Sequence, residues 1–132
     1  MTQRNVDVMD IIVSKMREGV ALSKAMKLVY TKRNVAIPFH AEIFDASLDV
    51  LEMSNRSVNA LLRAKARTIR DVLDMYGDDK FNKVRNFGRG SQMELFEAIL
   101  DYCWSKMNND ERTSFLIDTV ERNQNYIREE IA

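Results

Sequence analysis

"SNRSVNALLRAKARTIRDVLDMYG", residues 54–77, decides the fold of this chain. Ser54 is a helix-capping residue type, placed to open a helix that runs through Leu61 and Leu62. Thr68, with Asp71 three residues on, makes a capping-box start for a second helix over "IRDVLDMY", and Gly77 supplies its stop. Two short helices joined by a tight corner are therefore expected, with no strand alternation.

Working outward toward the C-terminus, Asp78 or Asp79 can cap a short helical turn over Phe81 and Val84. "RNFGRGS", residues 85–91, then turns the chain into a long helix with Leu95, Ile99, Tyr102 and Cys103 on its inner face. Asn108 and Asn109 break that helix, and a final one from Asp110 carries Leu116, Val120, Ile127 and Ile131 at steps of four, seven and four. Toward the N-terminus, "VAIPFHAEIFDASLDVLEM", residues 35–53, reads as a packed connector, too apolar for a free linker. Before it, Val6, Met9, Val13, Met16 and Val20 mark one stripe of a first helix that Gly19 ends. Leu22, Met26, Val29 and Tyr30 mark a second, which must end before Pro38. The first stripe is either core or a dimer seam. The fold class is all-α: a compact four-helix module over 46–107, a helical extension and connector over 1–45, and a C-terminal helix over 108–132.

Composition agrees. The 132 residues are 45% apolar, with only 4 glycines and 1 proline, which favours helices over a turn-rich β fold. No apolar run approaches the roughly 18 residues of a membrane span and the N-terminus lacks a signal-like pattern, so a cytoplasmic protein without a membrane partner is expected. Cys103 stands alone and His40 is the single histidine, so neither a disulfide nor a zinc site is implied and both residues read as structural. No nucleophile–base pair, paired carboxylates or phosphate-loop lysine is evident; the chain reads as a non-enzyme without a cofactor.

The formal charge of zero hides an uneven distribution. Residues 1–53 carry seven basic and seven acidic side chains; residues 54–91 carry nine basic against four acidic, and residues 92–132 four against nine. The segments run 0, +5 and −5, so the stretch that ends in the glycine loop is locally basic. A glycine loop opening a helix leaves backbone N–H groups, here those of Gly90, Ser91 and Gln92, to meet an anion. The competing reading is a plain turn with Gly88 or Gly90 at positive φ. Arg63, Lys65, Arg67 and Arg70 read as a solvated face.

"LEMSNRSVNALLRAKARTIRDVL" followed by "KVRNFGRGSQMELFEAIL" resembles the C-terminal domain of the bacterial RNA polymerase alpha subunit, a four-helix module related to helix-hairpin-helix folds. The resemblance covers residues 46–107 and is carried most specifically by "RSVNAL" and "NFGRGS". It implies binding to the minor groove of A/T-rich DNA, with contacts to RNA polymerase, sigma factor or an activator, in transcription or its regulation. The DNA-contacting arginine falls on Arg56 and the asparagine on Asn59. The loop falls on Gly88, Arg89, Gly90 and Ser91, and a glutamate that positions the arginine on Glu94. The family commonly has two basic residues after the loop glycine; this chain has Arg89 and then Gly90. Lys65 and Arg70 stand where small residues or glycine are common.

The residues themselves fit that mapping. Arg56 and Asn59 lie three apart on one helical face, where a guanidinium suits the negative potential of a narrow A/T-rich groove and an amide its degenerate acceptors. About four or five phosphate contacts would make binding steeply salt-dependent. The alternative is a protein-interaction module, a mimic or decoy that binds polymerase, sigma factor or an activator without DNA. A homodimer through the terminal helices is compatible with both.

Overall fold

A computed structural model describes residues 1–32, 35–77 and 80–131, and divides the chain into two units, Met1–Pro38 with Trp104–Ala132, and Phe39–Cys103. Six α-helices are present and no strand among the described residues, so the protein is all-α.

In the first unit, α1 (Gln3–Arg17) opens on Thr2, whose side chain accepts from Asn5 N–H. It closes on Gly19, at φ 94, with Gly19 and Val20 donating back to Met16 and Lys15. This is the left-handed glycine stop the sequence predicts. The stripe facing inward is not the expected one: Asn5, Val8 and Ile12 are buried, whereas Val6, Met9, Val13, Met16 and Val20 are half-buried. Apolar residues cover more than one stripe of α1, and its packing against α2 and α6 selects the inner edge.

α2 (Leu22–Val29) ends earlier than its apolar pattern requires, at an extended Tyr30 paired antiparallel with Ile127. Thr31 N–H donates to Tyr126 O at 2.7 Å and Arg128 N–H to Val29 O at 2.9 Å. α6 (Asn109–Arg122) starts in a reciprocal capping box, Asn108 N–H to Glu111 at 2.9 Å and Glu111 N–H to Asn108 at 2.8 Å. It buries Phe115, Leu116 and Val120 but stops before Ile127 and Ile131, correcting the expected continuous helix. The stop is Asn123, fully buried, whose amide donates to Thr119 O and Ala36 O and accepts from Ala36 N–H. Those bonds turn the chain out of the helix, so Ile127 enters the core from the pairing with Tyr30. Trp104 is half-buried on Phe115, ring centroids 6.3 Å apart, with the Arg112 guanidinium 4.9 Å from the centre of its ring.

The second unit holds α3 (Asn55–Arg63), α4 (Ile69–Gly77), a 3-10 turn at Phe81–Lys83 and α5 (Arg89–Ser105), whose last two residues are counted with the other unit. The expected cap at Asp78 or Asp79 lies outside the described residues. Both predicted helix starts are present. Ser54 accepts from Ser57 N–H, and Thr68 and Asp71 bond reciprocally, at 3.0 Å and 3.2 Å. Between α3 and α4 the chain turns at Lys65, φ 67, with Lys65 and Ala66 N–H groups donating back to Leu62 and Leu61. This left-handed position is where glycine is the usual residue.

The connector packs through its backbone: Leu48 N–H donates to Arg67 O, Ile69 N–H to Ala46 O and Arg70 N–H to Phe44 O. Leu48, Leu61, Ile69, Val72, Phe81, Phe87, Leu95 and Ile99 form the buried interior. Tyr102 is half-buried rather than inward-facing, while Ala98 and Leu100 join the buried set of α5. No helix among the described residues is long and apolar enough to cross a membrane.

Candidate nucleic-acid interface

Three short bonds bring the two predicted motifs together. Glu94, on the second turn of α5, accepts from Ser54 N–H, the capping position of α3, at 2.6 Å. The Ser54 hydroxyl donates to Ser57, and the Ser57 hydroxyl donates to Ser91 in the first turn of α5, at 3.1 Å and 3.2 Å. The N-termini of α3 and α5 are thereby tied side by side, and the positive ends of both helix dipoles share one region of surface. The bond to Glu94 is charge-assisted and fixes the backbone two residues ahead of Arg56.

Arg56 and Asn59 are both exposed on α3, and no described residue bonds to either side chain. Gly88, Arg89 and Gly90 are exposed as well, and Ser91 is half-buried. The loop is seated by Phe87, 3% exposed, whose ring lies 5.3 Å from that of Phe81. The reversal occurs at Asn86, φ 63, a residue type that tolerates the left-handed region.

Neither Gly88 nor Gly90 adopts a positive φ, and a Cβ built on either meets nothing within 4 Å. The positive φ that the plain-turn reading expected at Gly88 or Gly90 is therefore absent. What they leave is bare main chain open to close approach. The free N–H set also differs from expectation: Gln92 N–H donates to Gly88 O at 3.0 Å, which makes Gly88 the cap and leaves Arg89, Gly90 and Ser91 as the unsatisfied donors of the first turn. Because the Ser91 hydroxyl accepts from Ser57, its own proton remains to be donated.

The wider basic segment is only partly available. Arg63, Lys65 and Arg67 are exposed, as a solvated face should be. Arg70 is exposed too, but it bonds to Asp45 at 3.2 Å and lies over the Phe44 ring, so its charge is paired with the connector. Cys103 is fully buried, and burial pushes its thiol above the ordinary range. Among the described residues no group of three or more His, Cys, Asp or Glu side chains could hold a metal ion.

The role of Ser57 was not legible beforehand. It sits between Arg56 and Asn59 on the opposite, buried face of α3, and only its 3.2 Å bond to Ser91 reveals it. Asn86 could have been read as the turn residue from its place two positions before Gly88.

Residues 38–101 match the family described as the C-terminal domain of the alpha chain of bacterial RNA polymerase. The chain is 41% identical over 59 residues to the RNA polymerase alpha subunit of Mesomycoplasma hyopneumoniae (strain 7448), 45% of this chain and 18% of that one. It is 37% identical over 60 residues to that of Thermotoga maritima, 46% of this chain and 18% of the relative, and 36% identical over 61 residues to that of Gracilaria tenuistipitata var. liui, covering 46% and 19%. The chain thus spans about a fifth of the length of these relatives. No solved structure gives a significant match. The protein carries a module like the C-terminal domain of the alpha subunit, flanked by helical segments that lie outside the matched region.

Proposed function

We propose that the protein is a DNA-binding protein of transcription or its regulation, and that the module within residues 46–107 contacts the minor groove of A/T-rich DNA. The observation that carries this reading is the tie between α3 and α5, Glu94 to Ser54 and Ser57 to Ser91, which joins the two motifs at one place. Arg56 enters the groove and Asn59 hydrogen-bonds base-edge acceptors. The N–H groups of Arg89, Gly90 and Ser91, the Ser91 hydroxyl and the Arg89 guanidinium hold a backbone phosphate at the start of α5, cradled against Gly88. Glu94 is a positioning residue: it fixes the start of α3 and so the direction of Arg56. The resemblance of the module to a polymerase domain supports a place in transcription.

The test is a gel shift of A/T-rich and G/C-rich duplexes at two salt concentrations. Arg56→Ala should abolish retardation of the A/T-rich duplex at low salt with the circular dichroism unchanged. Glu94→Ala should weaken it while leaving a salt-sensitive residue of binding. Unaltered binding by Arg56→Ala would sink the assignment.

One observation favours a second reading. Residues 39–103 carry nine basic and eleven acidic side chains, a net of −2, so the unit holding the candidate interface is not basic as a whole. Such a surface suits a protein partner, RNA polymerase or a transcription factor, bound without DNA. Direct pull-down of purified polymerase in the absence of DNA, with no duplex retardation at low salt, would select this reading over the first.

A further inference from the structure

Between Glu18 and Glu42 the chain holds no acidic residue, but it holds four basic ones, Lys24, Lys27, Lys32 and Arg33. Arg33 lies outside the described residues; the other three are placed on or just after α2. The pairing of residues 29–31 with 126–128 folds a further cation onto them. Arg128 donates to the Lys27 carbonyl at 3.4 Å, and the Lys32 ammonium stands 4.8 Å over the Tyr126 ring. Lys24, Leu28 and Lys32 are exposed, with Leu28 at 50% and Tyr126 at 37%. Lys24 and Leu28 stand one turn apart on one face of α2. Glu129 and Glu130 follow Arg128 in the chain.

We infer that this surface is a second, sequence-independent contact to the phosphodiester backbone of duplex DNA, separate from the contact made by residues 39–103. An acidic helical peptide would need an apolar groove, and here Leu28 and Tyr126 are isolated exposed side chains between cations. A repeating phosphate needs only cations spaced along a surface, as the exposed Lys24 and Lys32 are, with apolar side chains free to meet sugars. The inference rests on the DNA-binding reading above, and adds an anchor that carries affinity without sequence preference.

The experiment is fluorescence anisotropy of a labelled A/T-rich duplex with the full chain across a salt series. For a charge-removing variant, K24Q/K32Q, the slope of log affinity against log salt should become shallower by about 2, while the preference for A/T-rich over G/C-rich duplex stays unchanged. The charge-preserving K24R/K32R should keep the wild-type slope, and thermal unfolding should be alike in all three proteins. An unchanged slope in the glutamine variant, or an equal loss in the arginine variant, overturns the inference. Lysine-dependent binding to vesicles of anionic phospholipid, with the DNA slope unaltered, overturns it too and reassigns the surface to lipid headgroups. Wild-type binding that is lost in Arg56→Ala but keeps its slope in the glutamine variant defeats this inference alone; absence of wild-type binding to any duplex defeats both.

Discussion

Gly90 has neither a backbone nor a packing reason to be glycine: its φ is not positive and its Cβ direction is open. It also stands where the family commonly carries a second basic residue. Gly90→Lys should therefore leave the fold intact and tighten binding to A/T-rich duplex at low salt by about tenfold, through one more phosphate contact, as anisotropy would record. A variant that folds normally yet binds no better would remove the loop from the interface. Lys65 presents the opposite case. Its φ of 67 asks for glycine, and the side chain is exposed. Lys65→Gly should raise stability by about 1 kcal/mol in chemical denaturation, since a left-handed conformation costs a non-glycine residue about that much. Arg56, Asn59 and Ser91 were proposed at this scale from residue type and motif spacing. The linking role of Ser57 was not, because its hydroxyl meets a residue 34 positions away.

At the scale of the element, the helix starts were the most legible feature. Ser54, and Thr68 with Asp71, cap as their side-chain chemistry dictates, because capping is settled within four residues; the last helix, expected from Asp110, starts at Asn109 on an Asn108–Glu111 box that was not read from the sequence. The Asp71 carboxylate accepts from the N–H groups of Arg67 and Thr68, which hold it below its ordinary pKa. A carboxylate whose folded pKa lies below its unfolded value adds stability above the unfolded value and loses it as pH falls through the folded one. The stability advantage of wild type over Asp71→Ala should therefore be full at neutral pH and shrink below about pH 4, read from urea midpoints across a pH series. An advantage that does not change with pH would show that the charge contributes nothing. Helix ends were less legible. α2 and α6 stop where residues 30 and 127 pair, and where Asn123 meets Ala36, so the apolar repeat overruns both. The inner stripe of α1 was misjudged for a related reason: two adjoining stripes are apolar, and only the neighbours decide between them.

At the scale of the whole molecule, Asn123 makes three side-chain bonds, and the two to Ala36 join the two separate stretches of the first unit. Asn123→Ala would leave the backbone donor and acceptor of Ala36 without partners and should cost about 2 to 4 kcal/mol in denaturant unfolding. A loss under 1 kcal/mol would mean that water replaces the amide at little cost, about what a single exposed hydrogen bond contributes. By itself the sequence determined the all-α class and the capped starts of α3 and α4, because propensity and capping are local properties of the chain. The tertiary structure alone decided where α2 and α6 end, which edge of α1 faces inward, and that α3 and α5 present their N-termini together. Each of these depends on a bond or a packing choice between residues far apart in the chain, and local energetics leave such choices nearly degenerate until the core forms.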